Sequence, residues 1–396
     1  MNNGREVVIL SGARTAIGDY GGSLKDIPPT ELAAKVVKEA VARARIDPVT
    51  IGQCVFGNVI HTEAKDMYLS RVAAINGGLP HEVGALTLNR LCGSGLQAIV
   101  SASQYILLGD IDAAVAGGAE SMSRGAYANL TQRWGTRMGD AKTIDMMVGA
   151  LTDPFDTIHM GITAENVAKK CEISREAQDA FAVESHRRAA AAISEGRFKS
   201  QILPIELKSK KGPVIFDTDE HVRTDVSADS MAKLKAAFIK ENGTVTAGNA
   251  SGINDAAAAV VLMERAAAEK KGLKPIARLV SYGHAGVDPK LMGLGPVTAV
   301  KRALAKANLQ LGDIDVIESN EAFAAQALGV NKELGLDPKK VNPNGGGIAL
   351  GHPIGATGCL LTIKAMYELQ RTNGRYALIT MCIGGGQGIA AVIERF

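Results

Sequence analysis

A ten-residue pattern in this sequence recurs 263 positions on. Val37-Lys38-Glu39-Ala40-Val41-Ala42-Arg43-Ala44-Arg45-Ile46 aligns with Val300-Lys301-Arg302-Ala303-Leu304-Ala305-Lys306-Ala307-Asn308-Leu309, and at the same offset Ile51 falls on Ile314 and Gly95 on Gly358. Each glycine opens a helical pattern, and a strand with a glycine-rich end follows each: Val115-Ala116-Gly117-Gly118 and Met381-Cys382-Ile383-Gly384-Gly385. Chance matching of alanine-rich helices would not keep register across helix, strand and turn. Two copies are too few for a solenoid, so the spacing predicts a duplicated domain of about 120 residues per copy.

The duplication organises the 396 residues. Short β-rich runs alternate with alanine-rich helical runs, the pattern of a layered α/β fold with a mainly central sheet. Strands are expected at Val7–Ser11, Cys54–Asn58, Ala113–Ala116, Ala256–Met263, Ile314–Ser319 and Tyr376–Met381, and helices at Thr30–Arg45, Gly95–Leu108 and Glu264–Lys271, the last stopped by Gly272. The expected division is 1–121 plus 249–272 for the first half, 122–248 for an insert, and 273–396 for the second half. Within the insert, Met122, Met138, Met146, Met147 and Met160 surround the only tryptophan, Trp134. Such residues suit a binding surface or oligomer contact, or equally an irregular core. Further on, Ser174 starts a helix that Gly196 stops.

Charge and hydropathy exclude several classes. Basic minus acidic residues is 44 − 41 = +3, with the signs interspersed, so nothing here resembles a nucleic-acid footprint. The longest apolar run, Ala256 to Met263, is far short of the roughly 18–20 residues that span a bilayer, which predicts a soluble protein with no membrane partner. The start MNNGREVVIL lacks the layout of a secretory signal and the final Glu394-Arg395-Phe396 is no peroxisomal address, so a cytoplasmic location is expected. An odd count of five cysteines with no C-x-x-C, and seven histidines with no H-x-x-x-H, argue for reduced thiols and against a metal site. Forty-four glycines, about 11% against a usual ~7%, point to many close backbone approaches.

Chemistry concentrates at the mouths of the two copies. Cys92, in Leu91-Cys92-Gly93-Ser94-Gly95, lies between a strand-like segment and a helix, where unpaired N–H groups would lower a thiol pKa and favour a nucleophilic thiolate; a buried structural cysteine is the other reading. Gly93, Gly95 and Ala98 also fit the dinucleotide pattern G-x-G-x-x-A, but Asp110 and Asp112 precede the next strand instead of following it, which disfavours that site. His352, among six glycines that leave a structural histidine little core to serve, lies near the point that duplicates the Cys92 turn, so a base there could reach the thiol across facing helix ends. Cys382 follows the strand Tyr376–Met381 and precedes Ile383-Gly384-Gly385-Gly386, whose N–H groups could stabilise an oxyanion. Asn320, after the strand Ile314–Ser319, could orient a water or simply form a turn. Cys54, Cys171 and Cys359 lack such surroundings and read as structural.

Together Asn89-Arg90-Leu91-Cys92-Gly93-Ser94-Gly95, Asn249-Ala250-Ser251-Gly252, Asn320-Glu321-Ala322-Phe323, Gly351-His352-Pro353 and Cys382-Ile383-Gly384-Gly385-Gly386 resemble, in order and over essentially the whole chain, the motifs of the thiolase family. Within it the chain is similar to the short-chain bacterial β-ketothiolases and acetyl-CoA acetyltransferases of polyhydroxyalkanoate synthesis. The resemblance implies a duplicated five-layered αβαβα thiolase fold with an inserted loop domain, a homotetramer, acyl-CoA and coenzyme A as partners, and no metal or cofactor beyond those thioester substrates. By motif it makes Cys92 the acylated nucleophile, His352 its base, Cys382 the acid/base toward substrate C2, and Asn320 the holder of an oxyanion-hole water. The N–H groups of Cys92 and Gly384 would form the second oxyanion hole. It places coenzyme A along Leu151, His159, Met160, Arg223, Ser230, Ala247, Ser251, Ala322 and Phe323, with Met160 limiting acyl length. A family member that only bound acyl-CoA would be expected to lack one of the three reactive residues, and a ketoacyl synthase relative would usually carry histidine where Cys382 stands.

Overall fold

The computed structural model describes residues 4–210 and 212–396. The first half begins with β1 (Val7–Arg14), β2 (Gly18–Asp19), α1 (Pro29–Ala44), β3 (Gln53–Gly57), α2 (Leu69–Asn76), β4 (Gly84–Leu88), α3 (Ser94–Leu108) and β5 (Ala113–Ser121). An excursion follows through β6 (Tyr127–Asn129), β7 (Thr143–Asp145), α4 (Met146–Ala150), α5 (Met160–Cys171), α6 (Arg175–Ser194), β8 (Ile205–Leu207), β9 (Val214–Phe216) and α7 (Ala228–Ala232). The chain then returns with β10 (Asn254–Glu264) and α8 (Arg265–Lys270). The rest is β11 (Ala277–Gly286), α9 (Gly295–Ala307), β12 (Val316–Ser319), α10 (Ala324–Leu334), α11 (Gly347–Leu350), α12 (Thr357–Thr372), β13 (Tyr376–Ile383) and β14 (Gln387–Arg395).

The long strands form one sheet path, β4-β3-β5-β10-β1 continuing into β11-β14-β13-β12, with β2 on the side of β10. Pairing is parallel at β3 with β4 and β5 and at β12 with β13, and antiparallel elsewhere. The halves meet where β1 pairs with β11 over only Val8↔Arg278 and Ile9↔Ala277. β1, β5 and β10 are buried on both faces, which is why they read as continuous apolar or small-residue runs without alternation.

The duplication is visible atom by atom. α1 and α9 end in left-handed caps at Arg45 (φ 54°) and Asn308 (φ 55°), positions related by the same offset of 263. β1 bulges between Ile9 and Ser11 and β11 between Leu279 and Ser281, so the hydroxyl of Ser11 donates to Ala40 O (2.6 Å) and that of Ser281 to Ala303 O (2.7 Å). Where β4 flanks β3 in the first half, the second half has only a parallel bridge from Ile317 to Val341. α1 starts at Pro29, one residue before the Thr30 start expected from the sequence, because a proline at the first helical position loses no hydrogen bond.

α3 and α12 pack together and against the strands of both halves. Their N-termini approach so closely that a Cβ on Gly95 would lie 2.8 Å from the Cys359 nitrogen, and Gly358 is equally crowded by Leu96. That contact explains the duplicated glycine. Leu91–Leu108 has the length and hydropathy of a bilayer span, yet α3 is apolar because it is a core helix with Leu96, Ile99 and Ile106 fully enclosed.

Two of the boundaries that differ from expectation bear on the site. β5 runs on through Gly117 and Gly118 to Ser121, so those glycines lie inside a strand, needed because β10 and the Gly355 carbonyl leave no room for a Cβ. β13 likewise extends to Ile383, which puts Cys382 within a strand paired with Gly388 and not after it. In the insert, the methionine-rich segment divides: Met122 and Met160 are buried, Met147 packs against the first of them, and Met138 and Trp134 are about nine-tenths exposed.

Candidate active site

The turn carrying Cys92 is held by its neighbours. Leu91 sits at φ 45°, unusual for a branched residue, and the Ser94 hydroxyl donates to Leu91 O (2.7 Å) while accepting from the Arg90 N–H (2.8 Å). The Leu91 N–H is in turn taken by the side chain of Asn89 (2.9 Å). Helix α3 starts at Ser94 with Gly93 as its cap, so Cys92 lies just outside the first turn. Its sulfur is met by two backbone N–H groups, its own and that of Gly384.

These donors do not lower the resting thiol pKa below its ordinary value, contrary to the sequence expectation. Burial dominates and, with the Glu120 carboxylate nearby, pushes Cys92 up to about 11. One face of Cys92 stays partly accessible, while Ile60, Met122 and Ile354 form the apolar cluster against which it packs. Cys382 is fully enclosed; burial first, then the proximity of Cys92, raises its pKa further. Around it lie Met160, Met292, Ala322 and Phe323.

His352 follows Gly351, whose φ of 106° turns the chain beneath Asn254, and its N–H donates to Asn254 Oδ1 (3.0 Å). The imidazole is 5% exposed. Glycines around it supply backbone walls in place of side chains, so it is buried although its sequence surroundings look open. Thr357 Oγ1 donates to Pro353 O (3.0 Å) and lies 2.7 Å from His352 Nδ1. A hydroxyl has one proton, so satisfying both contacts requires His352 Nδ1–H to donate to Thr357 and leaves Nε2 as the basic nitrogen. Burial pushes the imidazole down to about 4, which keeps it neutral. The Asn320 amide nitrogen lies 3.3 Å from Nε2, while Asn320 N–H donates to Thr380 O (3.0 Å), two residues before Cys382. Asn320 is therefore a fully buried group at the site and not a surface turn; its Oδ1 has no hydrogen-bond partner among the described residues.

The remaining candidates form two groups. Leu151 and His159 approach one another through a Thr152↔His159 bridge; His159 caps α5 by accepting the Gly161 N–H (3.0 Å), and its ring stacks on Phe238 at 4.6 Å. Phe238 also meets Phe323 edge-on (6.3 Å), while Ser251 N–H donates to Ala322 O (3.0 Å). Met160 reaches Gly384 with its Cε. Farther out, Arg223, Ser230 and Ala247 line a cleft with His186 and His221. Among the described residues no group of three or more His, Cys, Asp or Glu side chains is placed to hold a metal ion.

Comparison with known families agrees with the ordering of these elements. Residues 7–266 match the model of the thiolase N-terminal domain and residues 273–395 that of the thiolase C-terminal domain. The chain is a thiolase. It is 69% identical over 391 residues to beta-ketothiolase BktB of Cupriavidus necator, with 99% of each chain covered. It is 51% identical over 392 residues to an acetyl-CoA acetyltransferase of the same organism, covering 98% of this chain and 99% of that one. Among solved structures, the Bacillus anthracis acetyl-CoA acetyltransferase superposes with TM-score 0.97 at 46% identity, covering 99% of each chain. Human mitochondrial 3-ketoacyl-CoA thiolase in complex with CoA superposes with TM-score 0.96 at 43% identity, covering 99% of this chain and 98% of that one.

Several residues of this thiolase site escape a motif reading. Thr357 and Asn254 hold His352; Phe238 joins His159 to Phe323; buried His186 accepts the Arg223 N–H (3.1 Å), and burial lowers its pKa to about 4. Thr357 had one faint signal, its place immediately before duplicated Gly358. The others are ordinary residues in sequence and become informative only through contacts.

Proposed function

We propose that this thiolase catalyses the reversible Claisen condensation and thiolysis of short 3-ketoacyl-CoAs, acetoacetyl-CoA and 3-ketovaleryl-CoA among them, through an acyl group carried on Cys92. The observation that carries the reading is the convergence on the Cys92 sulfur of two backbone N–H groups, with Cys382 beside it and the neutral His352 Nε2 on the adjoining loop.

In the condensing direction, His352 Nε2 takes the Cys92 proton as the thiolate attacks the thioester carbonyl of acetyl-CoA. The resulting oxyanion accepts the N–H groups of Cys92 and Gly384, and collapse expels coenzyme A, which takes its proton from the Cys382 thiol and leaves Cys382 a thiolate, while His352 keeps the Cys92 proton on Nε2. A second acetyl-CoA then gives a methyl proton to Cys382. Its enolate oxygen accepts from His352 Nε2–H and from a water held by Asn320, and its carbon attacks the acyl carbonyl; collapse forms the 3-ketoacyl-CoA and releases Cys92, which recovers its proton from His352. Thiolysis runs the same steps backwards. Coenzyme A thioesters are substrates, and no step calls for a separate cofactor.

The pantetheine path in this reading passes Leu151, His159, Met160, Ala247, Ser251, Ala322 and Phe323, with Arg223 and Ser230 at the nucleotide end and Met160 against the acyl group. The exposed apolar residues of the insert, Leu130, Trp134 and Met138, are the contact we assign to a homotetramer, and the halves 1–121 with 249–272 and 273–396 are its catalytic body. A cytoplasmic place in polyhydroxyalkanoate synthesis fits the same substrates.

Coenzyme A-dependent cleavage of acetoacetyl-CoA, 3-ketovaleryl-CoA and 3-ketohexanoyl-CoA, compared by kcat/KM, tests the substrate range; activity on none of them would sink the enzymatic reading. C92A should abolish the acyl-enzyme, and C382S should still acylate yet condense poorly. Deleting the segment around Trp134 without a change of assembly mass would remove the tetramer contact.

A further inference from the structure

Glu120 is the penultimate residue of β5 and is fully buried. Its carboxylate takes four hydrogen bonds from neutral donors. Oε1 accepts from Asn58 Nδ2 (3.1 Å) and the Ile60 N–H (3.1 Å), and Oε2 from the N–H groups of Val59 (3.1 Å) and Gly355 (2.8 Å). Residues 58–60 leave β3 in the first half, whereas Gly355 belongs to the second half, three residues after His352 and two before Thr357. One side chain therefore ties the loop that carries the imidazole to the wall behind Cys92, and beyond that tie Ile60, Ile354 and Cys92 pack in one cluster.

Packing leaves this bridge no slack. A Cβ on Gly355 would come 2.5 Å from Glu120 Oε2 and 3.2 Å from Asn58 Cα. A carboxylate without a cationic partner is an expensive group to bury: burial pushes Glu120 up to about 8 against the N–H groups of Ile60, Val59 and Gly355, yet all four contacts are donated to its oxygens and leave neither a place for a proton, so the group is held as the carboxylate. Nothing in loop closure alone demands it, since a neutral side chain could cap two of the donors. What only a carboxylate supplies here is two acceptor oxygens, facing donors from opposite halves. We propose that Glu120 is a positioning residue that clamps the His352 loop to the Cys92 wall across the boundary between the halves, and thereby sets the base-to-thiol geometry on which acyl transfer depends. The proposal rests on the reading of Cys92 and His352 as nucleophile and base.

E120Q preserves volume but turns one acceptor oxygen into an NH2 donor that must face N–H groups. Misplacement of a reacting group by about 1 Å costs on the order of 10²-fold, so kcat for acetoacetyl-CoA thiolysis and the rate of Cys92 acylation should each fall roughly 10²-fold. KM should stay within about threefold, because the coenzyme A cleft lies elsewhere. E120D, which keeps both oxygens on a shorter arm, should recover part of the loss. G355A strains the same clamp from its other end, so the E120Q/G355A double variant should lose no more than the worse single variant. With C92A inactive, an E120Q enzyme within threefold of wild type in kcat, or fully additive losses in the double variant, would overturn the clamp and leave the nucleophile standing. Acylation persisting in C92A would overturn the nucleophile assignment and the clamp with it.

Discussion

A pH titration of the resting enzyme, wild type against C92A, should find no thiolate at pH 7. The thiol of Cys92 is held near 11 and the imidazole of His352 near 4. Moving the proton from one to the other spans 11 − 4 = 7 pH units, roughly 9–10 kcal/mol at about 1.4 kcal/mol per unit. Attraction within the resulting ion pair offsets part of this, about 4 kcal/mol for charges ~4 Å apart at an effective dielectric of about 20. Some 5 kcal/mol remains, so the ion pair is populated at roughly one part in 10⁴. Burial holds the other four cysteines up as well. The thiolate ultraviolet absorbance at pH 7 should therefore be close to zero, and the rate of Cys92 alkylation by iodoacetamide should rise about tenfold per pH unit through the neutral range. One thiolate equivalent per chain at pH 7 that vanishes in C92A, or an alkylation rate flat with pH, would refute the reasoning and make the enzyme one with a preformed ion pair. The functional consequence is that the thiol is activated only when a thioester carbonyl is in place to receive the charge.

Acid should destabilise the fold through its buried histidines. His186 and His352 are each lowered to about 4 from 6.5, so the unfolded chain binds their protons first; the stability they confer is complete above pH 6.5 and is lost as pH falls from 6.5 to 4. The difference of 6.5 − 4 = 2.5 units amounts to about 3 kcal/mol for each. Comparing urea midpoints of wild type and H186Q at pH 7 and 4.5 isolates the His186 share, and an equal acid sensitivity in both would remove it. K364M should cost about 3–5 kcal/mol, since Lys364 Nζ is the cation on fully buried Glu318 (2.8 Å), and E318Q/K364M should recover most of that loss in melting temperature. T357V removes the acceptor of His352 Nδ1–H; kcat should fall roughly tenfold at unchanged KM, whereas an unchanged kcat would mean that Asn254 and packing suffice to orient the ring.

The duplication at 263 residues was legible because it is written in backbone requirements. Arg45 and Asn308 both end a helix in the left-handed region, Gly95 and Gly358 both face a neighbouring helix end at a distance only glycine allows, and such demands leave residue types that can be matched by eye. The reactive residues were legible for a related reason: Cys92 and His352 lie in glycine-rich turns, and Cys382 lies at the end of β13 just before Gly384-Gly385-Gly386, a composition that is unusual. What stayed hidden was whatever depends on summed surroundings. The helix-end argument for Cys92 missed both its donors and the direction of its pKa: the N–H groups of Gly93 and Ser94 are taken by Arg90 O and Leu91 O, the thiol's donors are its own N–H and that of Gly384, and these compete with desolvation by Ile60, Met122 and Ile354, residues distant in sequence. The limits of β5 were misread for the same reason, since Gly117 and Gly118 resemble a turn until β10 and Gly355 are known to press on them. Glu120 combines both difficulties. In the run Ala116-Gly117-Gly118-Ala119-Glu120-Ser121 it looks like the polar residue at which a strand surfaces, yet it is buried, and its four donors come from segments 60 and 235 positions away. A carboxylate enclosed at such a junction costs stability, so its presence between the two loops that carry the base and the thiol is itself the argument that geometry there outweighs stability.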